Sequence, residues 1–75
     1  MRPTNVTNRI GELRRATDGV SQGELAEHVG VTRQTVNAIE RGKYSPSLEV
    51  AFRIARFFGV GLHEVFAYDE QHETN

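Results

Sequence analysis

Within "VTRQTVNAIERGKYSPSL", residues 31–48, four neighbouring side chains carry chemistry suited to reading the edges of base pairs: Arg33, Gln34, Thr35 and Asn37. A guanidinium matches the O6 and N7 acceptors of guanine, a glutamine amide can pair with N6 and N7 of adenine, and a threonine methyl can meet that of thymine. Each good pair discriminates by about 1–3 kcal/mol. Singly, any of these residues is an ordinary solvated side chain. Here they crowd the first turns of a short helical pattern whose only large apolar residues are Val36 and Ile39, so one side of that helix is expected to be covered by something other than the protein core.

Other chemistries find less support. The chain has no cysteine, which removes disulfides, thiolate zinc sites and a thiol nucleophile. His28, His63 and His72 have no mutual spacing suited to a metal, and no nucleophile–base–orienter set is visible. No catalytic residue, metal or cofactor is expected. Seventy-five residues make one small domain, whose core supplies no more than roughly 3–5 kcal/mol, so tight helix packing or oligomerisation must help. No stretch approaches the roughly 20 apolar residues of a membrane span, and the start "MRPTNVTNRI" lacks the apolar region of a signal peptide. A soluble, cytoplasmic protein is expected.

The net charge of -1 at first opposes a nucleic-acid partner, since phosphate neutralisation supplies most of duplex affinity. Its distribution reverses that impression. Residues 1–47 hold seven basic and five acidic residues, whereas residues 48–75 hold two basic and five acidic ones, three of them in the tail "YDEQHETN". The first half can therefore present a positive face.

The elements that must position these groups all read as helices, with no period-2 run long enough for a strand. Val6, Ile10 and Leu13 stripe a first helix that ends before Asp18-Gly19. Ser21 with Glu24 forms a capping box for a second helix, which buries Leu25, Ala26 and Val29 and closes at Gly30. Thr32 caps a third helix that runs to Gly42. Only Gly30-Val31-Thr32 separates these two, so they must cross steeply, as in a helix-turn-helix unit. Leu48, Ala51, Phe52, Ala55 and Phe58 stripe a fourth helix, and Leu62, Val65 and Phe66 form a short fifth. In this frame the third helix offers Arg33, Gln34, Thr35 and Asn37 to the major groove. Gln22, Thr32, Lys43 and Tyr44 flank it, placed to hold phosphates through helix N-termini, an amide, an ammonium and a phenol.

The run Gln22, Leu25, Ala26, Gly30, Val31, Ile39, Glu40, Gly42, Pro46 and Ser47 resembles the XRE-type, lambda-repressor-like helix-turn-helix regulators in their compact, single-domain form, and the match spans residues 6–66. The resemblance implies an all-α fold of five helices and a homodimer on a roughly palindromic double-stranded DNA operator; separately, so short a chain shows no evident pocket for a small-molecule effector. It implies Gln22 as a phosphate contact, Arg33, Gln34 and Asn37 as base-facing, and Lys43 with Tyr44 at the DNA backbone. It also implies that an arginine late in the first helix pairs with Glu40. That arginine maps to Arg14, but "RRATDGVSQ" is one residue longer than the pattern, which leaves Arg15 as the alternative. Ala38, where many relatives carry a longer polar group, reads nothing beyond a methyl contact.

The domain then divides into an N-terminal arm (1–5), the helix-turn-helix domain (6–66) and an acidic, flexible tail (67–75). Leu62, Val65 and Phe66 exceed what the fifth helix can bury inside a domain this small, and Leu62 and Phe66, with Tyr68 just past them, are expected at the dimer interface. A transcriptional regulator, most simply a repressor, is the reading preferred. The competing one is an antitoxin or antirepressor module acting on another protein through the fifth helix and the tail.

Overall fold

The computed structural model describes residues 4–70; residues 1–3 of the expected arm and residues 71–75 of the expected tail, including His72 and Glu73, lie outside the described residues. Five helices follow in order: α1 (Ile10–Ala16), α2 (Gln22–Val29), α3 (Arg33–Glu40), α4 (Leu48–Phe58) and α5 (Leu62–Val65). They enclose one core in which Ile10, Leu25, Val36, Ile39, Ile54 and Val65 are almost wholly removed from water.

Two short strands depart from the all-helical expectation. β1 (Val6–Asn8) and β2 (Phe66–Tyr68) pair antiparallel, with Val6 opposite Tyr68 and Asn8 opposite Phe66. Val6 therefore does not begin the first helix, and Phe66 does not belong to the last. The physical reason lies in Asn8, whose Oδ1 accepts the Ile10 N–H at 3.0 Å and so starts α1 four residues later than the apolar spacing suggested. The β-branched Val6 and Thr7 and the aromatic Phe66 and Tyr68 are better suited to a pleated ribbon than to a helix. This ribbon extends the folded domain through Ala67 and Tyr68, residues expected to be loose. Main-chain bonds from Arg9 to Val65 and from Asp69 to Asn5 close its two ends.

Helix boundaries follow the caps. Ser21, Thr32 and Ser47 each accept an N–H from the first turn of the helix they precede, and Ser21 with Glu24 completes a capping box. At the α2–α3 turn, Gly30 adopts φ 80, a left-handed conformation that costs a residue with a Cβ and reverses the chain in so few residues. Val31, bonded back to the Ala26 carbonyl, drops onto the core between the two helices. Arg53 of α4 adds a bond to the carbonyl of Val29, placing positive charge at the C-terminus of α2.

α4 corrects a second expectation. Its buried residues are Ala51, Ile54 and Ala55, with Phe58 packed beside them, whereas Leu48 is 66% and Phe52 50% exposed. The segment "LEVAFRIARFF" is apolar around most of its circumference, so two stripes satisfied the same period and only packing chose between them. Ile54, absent from the expected stripe, sits at the centre of the core. Ile54→Ala should cost about 2–5 kcal/mol, enough to leave much of the chain unfolded, and urea denaturation followed by circular dichroism measures it. A loss below 1 kcal/mol would mean that the site collapses around the smaller residue.

Candidate nucleic-acid interface

α3 is held to the domain by Val36 and Ile39, which are 0% and 2% exposed, while the opposite side of its first turn stands in solvent. Arg33 and Gln34 are exposed, and Thr35 and Asn37 are half-buried beside them. Gln22, from the first turn of α2, joins Arg33, Gln34 and Asn37 in lining one open cleft of about 290 Å³. The short α2–α3 turn thus brings together residues 11 to 15 positions apart. Thr35 is committed to the cap: its N–H donates to Thr32 Oγ1 and the two hydroxyls lie 3.0 Å apart, which leaves its methyl as the group available to a partner. Thr32 is exposed, though its hydroxyl oxygen serves that cap.

Lys43 and Tyr44 do not enter the cleft. They stand exposed in the loop beyond the other end of α3, where the N–H of Lys43 bonds the Ala38 carbonyl and that of Gly42 bonds Ile39. These two bonds form a Schellman closure around Gly42 at φ 72 and fix where the loop departs.

Behind the cleft lies a polar network centred on Glu40. Arg14 Nε donates to Glu40 Oε2 at 2.6 Å and its Nη2 to Oε1 at 3.2 Å, while Nη1 donates to the carbonyl of Val20 at 2.9 Å. Arg14, rather than the exposed Arg15, makes the pair. Glu40's hydrogen bonds hold the Arg14 guanidinium above its ordinary pKa, with burial opposing and the carboxylate's charge reinforcing the shift. Gln22 Nε2 also donates to Glu40 Oε1 at 3.2 Å, and Asn37 Nδ2 donates to Gln22 Oε1 at 3.4 Å. The single acid of α3 is therefore turned inward and neutralised, so the helix shows a DNA phosphate no negative charge.

Asn8 was missed by sequence reasoning. Besides starting α1, it donates through Nδ2 to the carbonyl of Ile39 at 2.8 Å, tying the end of α3 to the ribbon. An asparagine two residues ahead of an apolar-periodic run was the available signal. On the remaining side of the domain, Leu62 and Phe66 are half-buried against the core and Tyr68 is 54% exposed. They line two adjoining apolar hollows that share Val6, and the exposed Leu48 extends the surface.

A family model for the helix-turn-helix matches residues 10–65, which include α1 through α5. The chain belongs to the XRE-type helix-turn-helix family. An HTH-type transcriptional regulator of Methanocaldococcus jannaschii is 52% identical over 56 residues, 75% of this chain and 85% of that one. The cryptic phage CTXphi transcriptional repressor RstR of Vibrio cholerae is 36% identical over 64 residues, covering 85% of this chain and 57% of RstR. Among solved structures, the hypothetical transcription factor NHTF from Neisseria superposes with a TM-score of 0.67 at 26% identity, over 85% of this chain and 72% of that one. This family member is thus a DNA-binding transcriptional regulator rather than an enzyme. Among the described residues, no helix is long and apolar enough to cross a membrane, and no three potential ligands gather around a metal position.

The network separates the two candidate arginines. Arg14→Ala leaves Glu40 half-buried without its cation and should destabilise the family's fold here by about 1.5–3 kcal/mol, whereas Arg15→Ala should stay within about 0.5 kcal/mol of the parent. Equal losses in chemical denaturation would remove Arg14 from its role.

Proposed function

We propose that the protein is a sequence-specific repressor that binds a roughly palindromic operator as a homodimer in the cytoplasm. The observation that carries the reading is the division of α3: Val36 and Ile39 are sealed in the core, while Arg33, Gln34 and Asn37 open into one cleft with Gln22. A helix built this way is anchored from behind and has its polar front free for a groove about 12 Å wide. Arg33 and Gln34 would read bases by bidentate bonds, Thr35 by its methyl, and Asn37 by its amide. Gln22, Thr32, Lys43 and Tyr44 would hold phosphates on either side. An eight-residue helix spans about 12 Å, so its cap and the Lys43 loop are spaced to reach backbone flanking the groove. The name of RstR favours repression, which requires only that the bound protein stand where polymerase must bind.

Dimerisation through Leu62, Phe66 and Tyr68 is supported by the apolar surface they share with Val6 and Leu48. Two copies related by a two-fold axis would set their third helices about one turn of DNA apart, roughly 34 Å.

Selection of bound duplexes from a random pool tests the proposal as a whole. It should enrich two inverted half-sites centred about 10 base pairs apart. Gln34→Ala should weaken binding to the enriched site by about 1–3 kcal/mol and erase the preference at one base pair per half-site; an intact preference would take Gln34 off the list of readers. Leu48→Glu, at a position exposed in the monomer, should keep the helical circular dichroism spectrum yet yield monomers in sedimentation, remove any dependence of the melting temperature on protein concentration and weaken operator binding. A dimer that survives this charge would place the interface elsewhere.

A further inference from the structure

The amide groups of Gln22 and Asn37 belong to a chain of hydrogen bonds whose direction is fixed at one end by charge. Arg14 only donates and the Glu40 carboxylate only accepts. Gln22 must therefore turn its NH2 toward Glu40, as the 3.2 Å contact from Nε2 to Oε1 has it. Its carbonyl then faces the other way, and the group it meets there, 3.4 Å distant, has to be a donor: Asn37 Nδ2. With that nitrogen drawn toward α2, Asn37 keeps Oδ1 and its second N–H for the cleft that it lines with Gln22, Arg33 and Gln34. An asparagine amide standing alone can rotate by half a turn and exchange acceptor for donor. Here the ion pair prevents that rotation two side chains away.

We infer that Gln22 is a positioning residue for specificity: through its bond to Asn37 it sets the order in which acceptor and donor face the groove, and so directs Asn37 to adenine. Adenine offers N6–H to Oδ1 and N7 to the remaining N–H. Guanine presents O6 in place of that N–H, so the oriented Oδ1 would meet another acceptor, and the pair is rejected. The inference rests on α3 being the groove helix. It adds to the phosphate contact proposed for Gln22 a second duty, which that contact alone does not require.

The two duties give different signatures. Operator binding by the full chain is measured on the selected duplex and on a duplex with the adenine opposite Asn37 replaced by guanine, for the parent, Gln22→Leu, Asn37→Ala and the double variant. Leucine keeps the bulk and helix propensity at position 22 and leaves the Arg14–Glu40 pair in place, and thermal melting verifies the fold of each variant. The parent should prefer adenine by roughly tenfold or more. Gln22→Leu should lower that preference severalfold at this base pair and at no other, and the double variant should discriminate no worse than Asn37→Ala alone. If Gln22→Leu weakens both duplexes equally and the adenine preference persists, Gln22 is a phosphate clamp only and the inference fails. A parent that enriches no duplex at all would instead overturn the proposed function, and a parent with no adenine at the Asn37 position would overturn the assignment of that base.

Discussion

The carboxylate of Glu40 is the point on which the structure turns. It receives two bonds from Arg14 on α1 and one from Gln22 on α2, so three helices are referred to one pair of oxygen atoms. Side-chain exposures of 20% for Arg14 and 13% for Glu40 put the pair partly out of water, so each partner loses charge-assisted hydrogen bonds when left alone. A hydrophobic pair could join the helices as firmly, but it would not have a direction. The ion pair does, and it hands that direction to the amide of Gln22. At the same stroke the acid of α3 is withdrawn from the face that must approach polyanionic DNA. Stability, electrostatics and the aim of a polar side chain are served by the same atoms.

A core this small cannot hold such a network in register by burial alone. The chain relies on local closures: side-chain caps before α2, α3 and α4, left-handed glycines after α2 and α4, and a Schellman closure after α3. Each is worth about 1 kcal/mol and fixes an entry or exit angle. Asn8 links these local devices to the long-range ones, since a single amide accepts the Ile10 N–H at the start of α1 and donates to the Ile39 carbonyl near the end of α3 while its backbone lies in the β1–β2 ribbon. The ribbon joins the two ends of the described chain, so α5 cannot drift from α1.

Much of this was legible in the residues themselves. Ser21 with Glu24, Thr32, Gly30 and Gly42 marked helix ends because capping is a matter of a few adjacent atoms, and the burial of Leu25, Val29, Val36 and Ile39 followed from helices with one clear apolar face. Where the pattern was degenerate, it misled. Val6 fitted a helical period with Ile10 and Leu13, yet a three-residue strand leaves too short a trace to compete with that fit. In α4, Leu48 and Phe52 fitted one stripe and Ile54 another. The Arg14–Glu40 pair came from a family resemblance, with Arg15 left open by the spacing. The contact between Gln22 and Asn37 could not be read at all, because it depends on the angle at which α2 crosses α3, and no local pattern encodes an angle to within a hydrogen bond.

The charge balance bears on how such a domain could work. With a net charge of -1, one copy has few cations to exchange for counterions, and the exposed ones near α3 are Arg33, Arg41 and Lys43. Nonspecific affinity for DNA should accordingly be low. For a regulator this is a benefit as well as a cost, since genomic DNA then competes weakly for the protein and base contacts decide where it rests. The cost falls on total affinity, and a second copy offsets it: once one half-site is filled, the other is presented at high effective concentration and fixed separation. The proposed dimer is thus more than a family habit. A module with so few phosphate contacts needs either a partner copy or a much larger basic surface, and the apolar surface of Val6, Leu48, Leu62 and Phe66 suits the first of these.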